Sequence, residues 1–424
     1  MTGGIYNLLW RCLPPIVWLQ MRRRIAAGKE EASRQQERYG KGYQQARPAG
    51  KLIWLHAVSV GEAVGAIATV RALKALDVHL RFLVTTNTKT AAERISAVAD
   101  ELAIQHAYQP LDHPVWVGRF LKKWHPDAAI FLESDFWPNL IRLTKQADIP
   151  VYFASSQISE RAAKMWQKRP HFAAQIFGAA THIFAVDDHQ AKQFQSFSAH
   201  PLSISVEGSL KLDLAQLQSD TKFVSSLTRW SHADGRLILL LASSHNGEEQ
   251  LVLDKLQSIP DDKRPLLVIA PRHPERGDVL SAEIEQAKRH SQSQLPSIPD
   301  AVYLADTLGH MGSLFEAADI ILLGGSFIPI GGHNPLEPAS FAKPILSGPS
   351  QFKNQAAFDV LKTSGALKIL SDINELPNAL ATLQDGQARK DIGAAGAEIA
   401  IHASAAPHRV ARAIMNDLQK RDAQ

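Results

Sequence analysis

The sequence predicts an α/β protein: two doubly wound, Rossmann-like domains facing a central cleft, preceded by an N-terminal membrane-anchor helix. Three observations predict it. Short apolar runs alternate with helical patterns from Lys51 onward, the alternation breaks once near the middle, and the first 50 residues are apolar and then strongly basic. Strand–helix alternation builds parallel sheets, whose sites lie in loops at the carboxyl ends of the strands.

A chain of 424 residues buries a large core and splits into two domains. A hydrophobic share of 45% with 21% charged residues excludes a disordered or fibrous chain. The single cysteine, Cys12, excludes an internal disulfide framework and suits a reducing cytosol. The net charge of +4 hides an asymmetry. Residues 1–51 hold ten Lys/Arg against three acids, a net of +7, and the remainder holds 36 against 39, a net of −3. Basic charge confined to a leader, not spread over a domain face, argues against nucleic-acid binding.

Within the leader, Ile5–Met21 carries Trp10 and Trp18, is interrupted by Arg11 and Pro14-Pro15, and is followed by Arg22-Arg23-Arg24. A clean transmembrane helix needs about 20 apolar residues, and a signal peptide has its charge ahead of the apolar core. Charge behind the core keeps the body on the cytoplasmic side. Residues 1–50 therefore read as a marginal span or interfacial anchor with a basic linker, drawn to anionic lipid. A terminal helix packed on the protein is the alternative.

Residues 51–207 form the first domain, with strands expected at Leu52–Ala57, Leu80–Val84, Ala128–Leu132, Val151–Ala154, Ile183–Val186 and Leu202–Val206. Helices are expected between them, for example Ala63–Ala75 and Ala91–Asp100. Residues 208–222 are a polar linker. Residues 223–424 form the second domain, with strands at Leu237–Leu241, Leu266–Ala270, Ala301–Leu304, Ile320–Leu323 and Pro344–Leu346; its last helix is a candidate to cross back.

The loops carry the chemistry. After the first strand, His56-Ala57-Val58-Ser59-Val60-Gly61-Glu62 places a carboxylate able to take a proton from an attacking hydroxyl. Ser59-x-x-Glu62 is equally a capping box, which needs no substrate. Glu133-Ser134-Asp135-Phe136-Trp137-Pro138-Asn139 sets two acids beside two aromatics, a polar pocket or a packed turn with Asp135 as helix cap. Ser159-Glu160-Arg161 repeats the capping pattern, with Arg161 a candidate anion contact. In the linker motif Gly208–Asp213, Lys211 is placed to reach a leaving phosphate or an acidic sugar, or simply stays solvated.

In the second domain, Ser243–Glu249 offers small residues and backbone amides, and Pro271-Arg272-His273-Pro274-Glu275-Arg276 offers two guanidiniums for phosphate or carboxylate. Gly324–Pro338 is the most telling segment. Two glycine pairs clear side chains from a surface, and Asn334, Pro335 and Glu337 read as cap, first residue and capping partner of a helix suited to phosphate. Glu337 is alternatively a ribose ligand. No HExxH, CxxC or DxD pattern appears, so a metal-independent mechanism is expected, and no Walker pattern points to an ATPase.

Together these motifs resemble the 3-deoxy-D-manno-octulosonic acid (Kdo) transferases of lipopolysaccharide synthesis. The resemblance runs from His56–Glu62 through Glu133–Asn139, Gly208–Asp213, Ser243–Glu249 and Pro271–Pro274 to Gly324–Pro338, nearly the whole chain. It implies a GT-B fold, an N-terminal membrane anchor, an acceptor-binding first domain and a CMP-sugar-binding second domain. It also implies CMP-Kdo as donor with no further cofactor, lipid IVA as acceptor, and inversion at the transferred sugar. Glu62 matches the general base; Glu133 and Lys211 match groups that stabilise the transition state. CMP is expected on Pro271 and Arg272, on Met311, Gly312 and Ser313, and on Asn334, Pro335, Leu336 and Glu337. Asp306-Thr307-Leu308-Gly309-His310, Ser209 and Gln157 depart from the usual pattern. The implied location is the inner membrane, with the body on its cytoplasmic face. Two rivals remain: a GT-B enzyme using a UDP-sugar, and a non-catalytic nucleotide-sugar-binding membrane protein.

Overall fold

The computed structural model describes residues 3–211, 217–284 and 287–423. The chain divides into two compact units, Met1–Asp213 with Ala405–Gln424, and Leu214–Ser404.

The first unit holds seven strands: β1 (Leu52–His56), β2 (Arg81–Thr86), β3 (Ile104–Tyr108), β4 (Ala128–Leu132), β5 (Val151–Ser156), β6 (His182–Ala185) and β7 (Ile204–Val206). All pair in parallel, in the order β3-β2-β1-β4-β5-β6-β7. The chain starts in the middle, builds outward to β3, and returns to lay β4 on the free side of β1. Connections leave in opposite directions at that boundary, which opens a crevice there. His56 is level with Phe131, so the loops that follow begin side by side.

Every residue of β1 and β4 is buried, as expected of strands covered on both faces. Alternate residues serve different cores. Ile53 and Leu55 pack with the helix Val60–Leu76, while Leu52 and Trp54 pack into an aromatic cluster with Phe120, Phe131 and Phe153.

The first core is closed by the last helix, Ala406–Asp422. Its Val410, Ile414 and Leu418 face that core at helical spacing. Arg409 pairs with Glu207 at 2.8 Å, and the Tyr152 hydroxyl donates to Asp417. Ile414 is wholly buried, so Ile414→Ala is expected to cost about 2–5 kcal/mol. Urea unfolding, compared with the parent chain, measures it.

The second unit repeats the plan with β8 (Ile238–Ser244), β9 (Leu266–Pro271), β10 (Lys288–Arg289), β11 (Val302–Leu304), β12 (Ile320–Leu323), β13 (Ile345–Ser347) and β14 (Leu367–Ile369). The order is β10-β11-β9-β8-β12-β13-β14, again parallel. Its reversal lies between β8 and β12, where Leu323 is level with Ala242.

The structure departs from the sequence-based expectations in several places. Strands β3, β10 and β14 were not expected; β3 is half polar (Ile104-Gln105-His106-Ala107-Tyr108), and its polar groups are met by the leader. The last helix does cross back to the first unit, as the sequence allowed, and the unit boundary falls at Asp213/Leu214, inside the expected linker. Leu212 and Asp213 of the linker motif lie outside the described residues.

The leader forms two short helices, Gly3–Cys12 and Pro14–Ala26. No helix among the described residues is long and apolar enough to cross a membrane, so a spanning anchor finds no helix here. The prolines divide the segment. The first helix packs on its unit: the Tyr6 hydroxyl donates to Asp112 at 2.7 Å, and Trp10 lies edge-on to Trp116. The second helix leaves Ile16, Trp18 and Leu19 exposed.

Much of the leader's basic charge is already committed. Arg24 and Arg38 pair with Glu30, Arg34 with Glu37, Arg47 with Asp127, and Lys51 with Asp422. Arg34 also bonds to His106, and Glu37 accepts the Tyr108 N–H at 2.7 Å. The 3-10 helix Ala32–Tyr39 thus binds the end of β3.

Candidate active site

The crevice between β1 and β4 gathers the three candidate catalytic residues. Glu62 lies in the first turn of the helix Val60–Leu76. Its carboxylate accepts the Val58 N–H at 2.7 Å and the Ser59 hydroxyl at 3.2 Å, while the Glu62 N–H donates to Ser59 Oγ at 3.3 Å. The Ser59 half of the capping box is therefore formed, while the carboxylate reaches back one residue further, to the Val58 N–H, and is oriented by it. Burial, then the nearby charge of Glu133, nevertheless raise the Glu62 pKa above the usual glutamate range, against the Val58 amide and His56, which lower it.

Glu133 follows β4 with φ of 58°, a left-handed conformation that a non-glycine residue adopts at some cost. Its Oε1 lies 2.6 Å from Lys211 Nζ, and Gln157 donates to its Oε2 at 3.4 Å. Lys211 is thus paired, not simply solvated. A Cβ on Gly61 would stand 3.4 Å from Lys211 Nζ and Cε; glycine leaves the lysine room above the loop that carries Glu62.

Asp135 does not cap the next helix. Asp112 takes that place, accepting the N–H groups of Asn139 and Leu140 at 3.0 and 2.7 Å. Asp135 instead accepts from Trp137 Nε1 at 2.7 Å and meets His56 Nε2 at 2.6 Å. The buried His56 ring lies on Thr85 Oγ1, which also receives the Trp54 indole N–H at 2.8 Å. With Thr85 accepting from Trp54, its own hydroxyl is free to donate to His56 Nδ1, which leaves Nε2–H for Asp135. Nothing in the sequence spacing signalled Asp112 or this Trp54–Thr85–His56–Asp135 chain. A cavity of about 420 Å³ adjoins, lined by Asp135, Trp137, Ile158, Met165, Trp166 and Arg169 among others. Arg161 is exposed, and Ser159 caps its helix by accepting the Ala162 N–H.

In the second unit the crevice between β8 and β12 is organised by Glu248, a residue that drew no functional reading from the sequence. Its buried carboxylate accepts the N–H groups of Gly325, Ser326 and Phe327 at 2.7–3.0 Å and that of His245 at 3.1 Å. The backbone amides at the start of the glycine-rich segment are therefore engaged by Glu248. Gly324 is needed for packing, since a Cβ there would meet the Ser243 carbonyl at 2.4 Å.

The expected donor residues divide. Pro271 ends β9, and Arg272, exposed, donates its backbone N–H to the Ser244 carbonyl at 3.0 Å while its guanidinium makes no hydrogen bond or ion pair among the described residues. Arg276 is committed to Glu249 at 2.5 Å. Asn334 accepts the Leu336 N–H at 3.1 Å and donates to Glu337 at 3.4 Å; the helix there, Leu336–Ala339, is only four residues long and supplies little dipole. Burial raises the Glu337 pKa, opposed by Asn334 and by Arg272, which brings the β9 and β12 loops together electrostatically. Met311, Gly312 and Ser313 open the helix Met311–Ala317. Gly312 and Ser313 are turned to the linker: Ser313 Oγ accepts the Asp220 N–H at 2.8 Å, and a Cβ on Gly312 would strike the Gln218 carbonyl. Among the described residues no three metal-type side chains cluster.

Two parallel seven-stranded, Rossmann-like sheets make a GT-B-like fold, and the fold finds solved counterparts. A glycosyltransferase from Rickettsia africae matches 88% of this chain and all of its own, at a TM-score of 0.60 and 14% identity. Residues 33–214 match the family model described as 3-deoxy-D-manno-octulosonic-acid transferase. The 3-deoxy-D-manno-octulosonic acid transferase of Haemophilus influenzae is 33% identical over 86% of both chains, and that of Bordetella pertussis is 30% identical over 96% of this chain and 97% of its own. The chain belongs to the Kdo transferases.

Proposed function

We propose that this protein moves Kdo from CMP-Kdo to lipid IVA with inversion, working at the cytoplasmic face of the inner membrane. The observation that carries the reading is the set Glu62, Glu133 and Lys211 gathered at one crevice. Glu62 takes the proton of the acceptor hydroxyl as its oxygen bonds to the anomeric carbon of Kdo; the bond from that carbon to the nucleotide phosphate breaks, and CMP leaves with the electron pair. Burial suits Glu62 to hold the proton. The Lys211 ammonium, fixed by Glu133, supplies positive charge beside it. In the second unit Arg272 is a cation with no ion pair among the described residues, suited to the phosphate, with Glu337 and Asn334 as polar partners for the nucleoside. The cavity beside Asp135 has the mixed apolar and polar lining that a glycolipid needs, and exposed Ile16, Trp18 and Leu19 ahead of Arg22 and Arg23 suit an interfacial contact.

The experiment is direct. Purified protein is given lipid IVA and a CMP-Kdo-generating mixture, and the lipid is weighed by mass spectrometry. Gain of Kdo is expected; unchanged lipid with an active donor supply overturns the acceptor. Protection from thermal unfolding by CMP but not by UDP is the expected donor result; the reverse favours a UDP-sugar.

A further inference from the structure

His245, after β8, and His333, in the glycine-rich segment after β12, meet Nε2 to Nε2 at 3.0 Å. Their planes are 5° apart and their centroids 5.2 Å apart, so the rings lie end to end and not face to face. Such a contact is a hydrogen bond only if one proton, and no more than one, lies between the two nitrogens. The neutral pair then has one outer Nδ1–H, on the accepting ring, and one bare Nδ1, on the donating ring. The Ser243 carbonyl beside His333 favours the N–H on that ring, which leaves His245 Nδ1 bare; it has no partner among the described residues. Any further proton must go there, and it would create an outward-facing donor.

The surroundings of the pair favour an anion. Arg272 and Lys353 set positive charge beside it, and neither makes an ion pair among the described residues. The nearby carboxylates are already engaged, Glu248 by four amides and Glu249 by Arg276 and Ser244. Gly325 lies against the pair, with the position of its missing Cβ 3.3 Å from His245 and 3.4 Å from His333 Nε2.

Resting on the donor reading above, we infer that the His245–His333 pair and Arg272 form the receptor for the donor's phosphate, and that the phosphate binds together with one proton at His245 Nδ1. Without ligand, burial and the neighbouring cations hold both rings below the usual histidine range, His333 at about 4. A bound phosphate opposes those cations and raises the pair, so protons are taken up on binding. Affinity for the nucleotide must then fall as pH rises from the free-state value to the bound-state value, and level off below the first and above the second.

Calorimetric titration of the full chain with CMP at pH 7, in buffers of different protonation enthalpy, tests this. Uptake of about one proton per CMP is expected, with affinity falling about tenfold per pH unit between the free-state and bound-state values. Cytidine, which lacks the phosphate, should give no uptake. His245→Asn, checked for folding by its melting curve, should bind CMP at least about tenfold more weakly with the uptake gone; comparison with it also subtracts the phosphate's own titration. CMP binding without uptake, or uptake unchanged in His245→Asn, overturns this inference alone. Absence of CMP binding to the parent chain overturns the donor reading and this inference together.

Discussion

Replacing Glu62 with glutamine is expected to lower kcat by about 10²–10⁴-fold while the protein stays folded and still binds nucleotide. Glutamine keeps an oxygen for the Val58 amide, so the capping contact survives in part, and only the capacity to take a proton is removed. The pH profile gives a second handle. A base acts only when deprotonated, and burial with the like charge of Glu133 raises Glu62 above its ordinary value. The acid limb of kcat/KM should therefore lie above the usual glutamate range, with activity lost as pH falls through it. Glu133→Gln removes the like charge, so in the residual activity of that variant the limb should move to lower pH. A folded Glu62→Gln protein that transfers sugar at the parent rate would take Glu62 out of the chemistry. A limb that moves upward in Glu133→Gln would break the electrostatic account.

Glu248→Ala is expected to have the largest effect on stability, a loss of about 3–5 kcal/mol in urea unfolding. Four backbone N–H groups lose their acceptor at once, and each buried donor left unsatisfied costs about 1–3 kcal/mol, partly relieved where water enters. Glu248→Gln should recover little, because its amide nitrogen would point a donor at donors. A change under about 1 kcal/mol in Glu248→Ala would mean that these amides find water easily and that the glycine-rich loop does not depend on the carboxylate.

The apolar strands were legible because a strand buried on both faces is a continuous apolar run, as Leu52–His56 and Ala128–Leu132 are. The loops that carry Glu62, Glu133 and Arg272 followed from strand order alone. What was not legible depends on partners distant in sequence. Strand β3 is made possible by the leader, whose Glu37 and Arg34 meet its polar groups from about 70 residues away. Asp112 caps a helix that begins at Pro138. Glu248 looks like an ordinary first-turn acid until the loop 77 residues further on closes over it. The glycine pairs were read as clearing side chains from a surface; in the folded chain the first pair also serves close packing and the contact with Glu248.

The return of Ala406–Asp422 to the first unit sets an order of events during synthesis. The amino-terminal sheet emerges from the ribosome early, but the helix that seals one of its faces is made only after the whole of Leu214–Ser404. Until then Ile67, Val70 and their neighbours on the helix Val60–Leu76 lack their lid, a period when such chains are prone to aggregate. Expression of the first 213 residues alone should give an insoluble product, and supplying the final helix in trans or by grafting should rescue it.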